Sequence, residues 1–252
     1  MAGCSSASTT DTTAPTEQFT ATSIKPAVGG SIEWKSCSGD ELDATMCADF
    51  KVPYDYENPS IGQFTLKLKM HKATEPSKRV GSMLVNPGGP GFGGTFLADT
   101  ATSYFGGALI EAFDIIGWDP RGTGESTPFV DCIDNYDKYF AIDPTPQTTA
   151  EKTALIDATR LFSEECEKNS GEILPYISTN NTARDMDAIR AALGEEKITY
   201  FGFSYGSELG ATWITMFPTT VRAAVLDGAT DPDADYIQSG LDQAKGFDSQ
   251  FN

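Results

Sequence analysis

The 252-residue sequence has a single histidine, His71, and little positive charge. Its 18 lysine and arginine residues stand against 36 aspartate and glutamate residues, which gives a formal net charge of −18. Such an acidic surface repels phosphate backbones and argues against nucleic acid as the main partner. No stretch approaches the roughly 18 consecutive apolar residues of a membrane-spanning helix, which argues against an integral membrane protein. Any mechanism with a histidine base must use His71 or borrow a histidine from elsewhere.

The amino-terminal residues are rich in Ser, Thr and Ala and contain few large apolar side chains. Such a composition cannot offset the entropy cost of ordering, so we predict a disordered tether over residues 1–30. Within it, Ala2-Gly3-Cys4 is typical of the end of a bacterial lipoprotein signal, cropped of its apolar stretch. We therefore expect an exported bacterial protein, in the medium or at the cell envelope, whose membrane attachment is a lipid on Cys4.

The other four cysteines form an even set without a CxxC or histidine-containing metal pattern: Cys37, Cys47, Cys132 and Cys166. We predict two disulfide bonds in sequence order, Cys37–Cys47 and Cys132–Cys166, although four cysteines permit three connectivities. The alternative is four unrelated buried thiols, as in many cytosolic enzymes. An oxidising, exported setting agrees better with the tether. The sequence implies no metal and no organic cofactor.

Apolar strand patterns alternate with helical patterns over residues 31–232, which predicts an α/β domain with a mostly parallel sheet. The clearest strands lie at 64–72, 82–85, 113–118, 198–203 and 223–226, and a helix is expected at 180–193. Residues 129–178 interrupt the alternation and form an excursion with a helix near 149–168. From Asp235, apolar residues recur at helical spacing to the end of the chain. We interpret 233–252 as the first helix of a cap that is cut short.

The pentapeptide at 202–206, GFSYG, has the G-x-S-x-G pattern and lies between a buried strand and a helical run. This context is that of a nucleophile elbow, a tight turn that exposes a strained serine at the carboxyl edge of the sheet. Glycines two positions before and after the serine are needed where neighbouring backbone leaves no room for a Cβ. We predict that Ser204 is a nucleophile.

A glycine-rich loop, NPGGPG at 86–91, follows the strand that ends at Val85. In folds with a nucleophile elbow, this loop gives one N–H of the oxyanion hole and the residue after the serine gives the other. We assign these donors to Gly89 and Tyr205, with Gly88 as the alternative to Gly89. A rival interpretation is a dinucleotide-binding G-x-G-x-x-G formed by 89–94, with Glu111 on the ribose, but it leaves the serine turn unexplained.

Four motifs together resemble those of secreted bacterial tripeptidyl aminopeptidases, which are α/β hydrolases related to proline iminopeptidases. They are NPGGPG at 86–91, GWDPRGTGES at 117–126, GFSYGS at 202–207 and VLDG at 225–228. The resemblance runs from about Trp34 to the end of the chain. It implies an α/β-hydrolase fold and release of short peptides from free N-termini through an acyl-enzyme on Ser204. It also implies that the turn at 119–122 is structural.

The triad order in this fold is Ser, then Asp or Glu, then His, and no histidine follows Ser204. Asp227 and Asp231 follow a strand end, but the resemblance assigns that position a structural role. We interpret His71 as a surface strand histidine. We assign no role in substrate binding to Glu208. The isolated chain is then expected to be close to inactive, since losing the histidine of a triad costs about a millionfold.

Three hypotheses stay open for the function. In the first, the chain is the amino-terminal half of an aminopeptidase, and its partners are the peptide substrate and its own missing carboxy-terminal half. In the second, the same fold serves as an esterase or lipase, because the serine turn does not specify the acyl donor. In the third, the chain is a non-catalytic envelope lipoprotein that binds peptides.

Overall fold

The computed structural model describes residues 31–37, 45–229 and 235–251. The predicted tether with Cys4, and Asp231, lie outside the described residues. Within the described ranges, no helix is both long and apolar enough to cross a membrane.

One seven-stranded mixed sheet organises the described chain, in the order β1-β2-β3-β5-β4-β6-β7. The first three strands and β5 pair antiparallel, whereas β5, β4, β6 and β7 run parallel. The strands are β1 (Lys35–Ser36), β2 (Thr45–Pro53), β3 (Gln63–His71), β4 (Gly81–Asn86), β5 (Phe113–Trp118), β6 (Ile198–Phe203) and β7 (Val221–Asp227). The predicted mostly parallel α/β sheet is confirmed, with an antiparallel amino-terminal edge.

Helices cover both faces of this sheet, as crossover connections between parallel strands require. They are α1 (Phe96–Asp99), α2 (Ala101–Tyr104), α3 (Gly107–Ala112), α4 (Asp137–Phe140), α5 (Thr149–Ser170), α6 (Thr179–Ala192), α7 (Tyr205–Met216) and α8 (Tyr236–Phe251). The predicted helices at 149–168 and 180–193 correspond to α5 and α6. The helical pattern after Asp235 corresponds to α8.

Alternate residues of β4 point into two separate cores. Leu84 joins the larger core under α6 and α7, while Met83 and Val85 join a smaller core under α1, α2 and α3. All six residues of β4 are buried. A strand that is buried on both faces has buried residues at consecutive positions. This explains why the sequence of β4 does not alternate between apolar and polar residues.

The excursion at 129–178 carries both α4 and α5 and is fastened by a disulfide bond between Cys132 and Cys166. A second bond joins Cys37 to Cys47, between β1 and β2. Both predicted pairs are therefore bonded in the structure. The helix α5 begins with a capping box in which Thr148 accepts from the Glu151 N–H and the Glu151 carboxylate accepts from the Thr148 N–H.

At the amino-terminal edge of the parallel strands, Glu195 joins three elements. Its carboxylate accepts from the Ser82 N–H at 3.0 Å and pairs with Arg222 at 2.7 Å and Arg79 at 3.3 Å. Burial alone would raise the pKa of Glu195, but the hydrogen bond from Arg222 and the backbone N–H of Ser82 outweigh it and lower that pKa. Glu195 therefore fastens β4 and β7 to the loop after α6.

Replacing Glu195 with glutamine is expected to make unfolding less sensitive to acid. A carboxylate whose folded pKa is depressed stabilises the fold above its unfolded pKa of about 4.3, and this stabilisation is lost as pH falls through the folded value. The variant should therefore be less stable than the parent at pH 7, and the gap should shrink below about pH 4. Denaturant titrations at several pH values measure it; a gap that is constant with pH contradicts the assignment.

Candidate active site

Ser204 lies in the turn between β6 and α7, and its side chain is exposed. Its backbone has φ 52° and ψ −125°, and among the described non-glycine residues no other has a positive φ. This left-handed conformation is strained for a residue with a Cβ, so surrounding contacts must enforce it. The Ser204 N–H donates to the carbonyl oxygen of Asp227 at 2.8 Å, and the Ser204 carbonyl accepts from the Ser207 N–H at 2.8 Å. The strand–turn–helix geometry predicted for the serine motif is present.

The two flanking glycines are required by close backbone approach. A Cβ built on Gly202 would collide with the carbonyl oxygen of Gly206. One built on Gly206 would lie 2.9 Å from the carbonyl oxygen of Asn86, on the neighbouring strand β4. The hydroxyl of Tyr200 donates to the Gly206 carbonyl at 2.7 Å and holds the turn from below. The turn that exposes the serine therefore has no room for any residue larger than glycine at positions 202 and 206.

The glycine-rich loop after β4 packs directly against this turn. A Cβ on Gly88 would lie 2.5 Å from the Phe203 carbonyl oxygen and 3.1 Å from the backbone nitrogen of Tyr205. The Gly88 N–H is engaged, because it donates to Asn86 Oδ1 at 2.9 Å. The next N–H along the loop is that of Gly89, the predicted donor.

Tyr205 is the first residue of α7, so its N–H has no acceptor within the helix and lies at the positive end of the helix dipole. Its side chain turns away into the protein, where its hydroxyl lies 2.7 Å from Thr179 Oγ1. Burial raises the pKa of the Tyr205 phenol, with smaller effects from Thr179 and Glu208. The backbone of Tyr205, and not its phenol, is therefore the group available at the serine.

Replacing Gly88 with alanine is expected to push the loop away from the serine turn. Gly88 has φ +96°, and the added Cβ meets backbone atoms that cannot move aside, so we expect a loss of about 1–3 kcal/mol in unfolding free energy. Chemical denaturation measures it. The matched control is Gly107→Ala, at the start of α3, where a Cβ meets nothing within 4 Å. Equal stabilities for the two variants would contradict the close packing of the loop.

Asp119, directly after β5, fixes the segment that follows the glycine-rich loop. Its carboxylate accepts from the Thr95 N–H at 3.1 Å and from the Glu125 N–H at 2.8 Å, and it is almost fully buried. The loop is also held by the Gly94 N–H, which donates to the Trp118 carbonyl at 2.9 Å. The turn at 119–122 therefore supports the loop structurally, as the resemblance implied.

Arg121, in the same turn, is completely buried and pairs in bidentate fashion with Asp185 of α6. The Nε atom donates to Asp185 Oδ2 at 2.8 Å. The other N–H groups donate to backbone carbonyl oxygens, those of Tyr54 at 2.9 Å, Tyr176 at 3.1 Å and Pro53 at 3.2 Å.

A hydroxyl completes this cluster, since Tyr56 donates to Asp185 Oδ1 at 2.7 Å. Burial disfavours the charged guanidinium, but the Asp185 carboxylate outweighs that effect and raises the pKa of Arg121. Burial and the Asp185 charge raise the pKa of Tyr56. We call these side chains, Arg121, Asp185 and Tyr56, the arginine cluster. Sequence patterns did not reveal it, because its members are scattered along the chain.

The prediction that His71 is a surface histidine is wrong. The residue is buried, with 8% of its surface exposed, and its Nδ1 lies 2.9 Å from the Lys72 carbonyl oxygen. Its strand β3 is covered on one side by β2 and on the other by β5, so the end of the strand is enclosed. The lysines before and after it suggested a solvent-facing position. The chain that follows β3 is instead held against α3 and β5, where the Thr74 N–H donates to the Ile110 carbonyl oxygen at 3.0 Å and the Ala73 N–H donates to the Asp114 carboxylate at 2.9 Å.

His71 also lies far from Ser204. It pairs with Ile115 of β5, which places it level with Thr199 of β6. Thr199 is five residues before Ser204, and β6 is three strands from β3. At about 3.3 Å per residue and 4.8 Å per strand, the imidazole is on the order of 20 Å from the serine. His71 cannot be its base.

Two acidic residues lie near the serine without contacting it through their carboxylates. Asp227 contributes its carbonyl oxygen to the Ser204 N–H, and Glu208 follows one turn later in α7. Glu111, the ribose contact of the rival hypothesis, pairs with Lys78 at 2.8 Å, and the helix after its glycine loop has four residues. In the described ranges, no group of three or more metal-binding side chains occurs.

An exposed, strained serine between a parallel strand and a helix, with a glycine-rich loop against it, defines the α/β hydrolases. The model of the α/β hydrolase fold family matches residues 81–252, and the chain belongs to this family.

The particular relatives are bacterial. The chain is 37% identical over 236 residues to serine protease Hip1 of Mycobacterium tuberculosis, covering 90% of this chain and 45% of Hip1. It is 39% identical over 234 residues to a tripeptidyl aminopeptidase of Streptomyces coelicolor, covering 89% of this chain and 43% of the relative. It is 36% identical over 236 residues to carboxylesterase B of M. tuberculosis, covering 90% of this chain and 45% of the relative. The chain therefore spans less than half the length of these relatives.

Proposed function

We propose that this chain carries the nucleophile and oxyanion hole of a serine hydrolase. Ser204 attacks the substrate carbonyl, the N–H groups of Gly89 and Tyr205 stabilise the oxyanion, and an acyl-enzyme forms on the serine. The observation that carries the proposal is the strained conformation of Ser204, whose enforcing contacts leave the hydroxyl exposed. Strain of this kind persists where the surrounding structure requires it, as at catalytic serines.

The substrate of this hydrolase, as we propose, is a peptide with a free N-terminus from which a tripeptide is released. Support comes from the relatives named tripeptidyl aminopeptidase and serine protease. The two disulfide bonds support an exported protein, because such bonds persist in oxidising compartments.

A second candidate is an esterase, favoured by the relative named carboxylesterase B. The elbow and the oxyanion donors serve ester and amide substrates alike, since both pass through a tetrahedral intermediate at the same carbonyl. The nature of the leaving group is set by groups other than Ser204.

The mechanism needs a general base within hydrogen-bonding reach of the Ser204 hydroxyl. His71, the one histidine of the chain, is at the opposite end of the sheet. We therefore propose that the base and its supporting acid come from a polypeptide segment other than these 252 residues. Such a segment would also be the partner that this chain needs for turnover.

The test mixes this chain with the part of the S. coelicolor relative that lies outside the match, expressed separately; we call the mixture the complemented chain. A fluorophosphonate probe is added, and the labelled residue is read by intact and peptide mass. We expect labelling of Ser204 in the complemented chain, much less in the chain alone, and none in Ser204→Ala. Label that survives in Ser204→Ala would overturn the nucleophile assignment.

Three substrates then separate the candidate functions. A tripeptide arylamide, its N-acetylated form and a short p-nitrophenyl ester are given to the complemented chain. An aminopeptidase cleaves the free tripeptide arylamide and rejects the acetylated form. Cleavage of the ester without either arylamide would favour the esterase.

A further inference from the structure

Three exposed aromatic side chains lie in the segment between β4 and β5, which follows the loop that packs against the serine turn. Phe92, directly after the glycine-rich loop, is 65% exposed, and Tyr104 of α2 is 54% exposed. The neighbouring Phe96 of α1 is 41% exposed. Monomeric proteins rarely leave several large aromatic side chains together in solvent without a binding role. We call these three residues the aromatic wall.

The aromatic wall is continuous with the serine turn through ring contacts. Phe96 and Tyr104 meet edge to face with centroids 6.2 Å apart, and Tyr104 meets Phe203 in the same way at 6.3 Å. Phe203 is the residue directly before Ser204. The row of rings therefore reaches the residue that precedes the nucleophile in the chain, whose own ring packs against Phe105 of the smaller core.

Phe92 lies next to Gly89, one of the two proposed oxyanion donors. A Cβ built on Gly89 would lie 3.0 Å from Phe92 Cδ2, so the ring folds back against the residue that donates to the oxyanion. Since the substrate carbonyl oxygen binds the Gly89 N–H in the proposed mechanism, the Phe92 ring adjoins the residue that holds this carbonyl. In an acyl-enzyme, the carbonyl carbon is bonded to the Cα of the residue that acylates the serine, and that Cα carries the side chain that meets the ring.

From this placement we propose that the aromatic wall selects peptides whose acylating residue has a large apolar side chain. The inference rests on the proposed function, because it uses the same serine and the same oxyanion donors. Burying such a side chain against aromatic rings removes apolar surface from water, which favours the transition state for that substrate. A glycine at the same position gains nothing from the aromatic wall.

The test compares Phe92→Ala with the parent in the complemented chain, using two tripeptide arylamides that differ in one residue. One carries leucine and the other glycine next to the arylamide. We expect the leucine-to-glycine ratio of kcat/KM to fall about tenfold to a hundredfold in the variant, the range for one apolar side chain in a pocket. The ratio is measured within one preparation, so partial loss of folded protein does not affect it.

The matched control is Phe140→Ala, which removes an aromatic side chain of similar exposure, 62%, from the excursion. It is expected to leave the ratio unchanged. If the leucine-to-glycine ratio of kcat/KM is unchanged in Phe92→Ala, or falls equally in Phe140→Ala, the aromatic wall does not select the acylating residue. The assignment of Ser204 as nucleophile would be unaffected by that result. Absence of any turnover that depends on Ser204 would instead overturn the proposed function, and this inference with it.

Discussion

Alanine in place of Ser204 is expected to lower turnover of the tripeptide arylamide by the complemented chain about a millionfold, as loss of the nucleophile does in well-studied serine proteases. The hydroxyl oxygen is the atom that forms the acyl-enzyme, so no neighbouring group can replace it. Residual rate would come from the oxyanion donors and from binding alone. Steady-state release of the arylamine measures the loss.

Stability provides the control for this variant. Alanine and serine share the same strained backbone position, so the unfolding free energy should change by no more than about 0.5 kcal/mol. A folded Ser204→Ala variant that retains more than about a hundredth of the parent rate would exclude Ser204 as the nucleophile.

Replacing Arg121 with methionine is expected to destabilise the fold by about 3–5 kcal/mol, the cost of leaving a buried carboxylate without its partner. Asp185 would lose a bidentate ion pair in a position where neither side chain has any exposed surface. Three backbone carbonyl oxygens would lose their donors as well. Denaturant unfolding followed by circular dichroism measures the change.

Arg160 offers the matched control for this second prediction. It makes two ion pairs on the surface of α5, with Asp157 and Glu164, and its side chain is 56% exposed. Exposed pairs contribute about 0–1 kcal/mol, so Arg160→Met should be nearly neutral. Replacing both buried partners, as Arg121→Met with Asp185→Leu, should recover part of the loss. If Arg121→Met and Arg160→Met lower the free energy of unfolding by the same amount, the arginine cluster does not stabilise the fold.

The sheet and the serine turn were predictable because their signals are local. The strand at 198–203 and the turn at 204 follow from a short apolar run and a five-residue motif, and the structure has both in place. The disulfide pairs were predicted by taking four cysteines in sequence order, one of three possible connectivities, and both are bonded. Sequence patterns of this kind can be recognised without knowledge of the three-dimensional structure.

The remaining features depend on which strands become neighbours. His71 is buried where the chain after β3 packs against α3 and β5, and no pattern along β3 predicts that packing. Glu195 and the arginine cluster join residues from separate elements, so their charges resembled ordinary surface charges in the sequence. The aromatic wall likewise forms from rings that precede or belong to two short helices, α1 and α2, and no local motif marks them in the sequence.

The arginine cluster has a consequence for the order in which the chain folds. Tyr56 and Asp185 are 129 positions apart, and Arg121 lies between them. Closing loops of this length costs entropy before any contact repays it, so we expect these charges to come together after the local hairpin of β2 and β3. When contacts that form after the rate-limiting step are lost, the unfolding rate rises and the folding rate changes little. Loss of the cluster, as in Arg121→Met, is therefore expected to raise the unfolding rate more than it lowers the folding rate, which stopped-flow kinetics would measure.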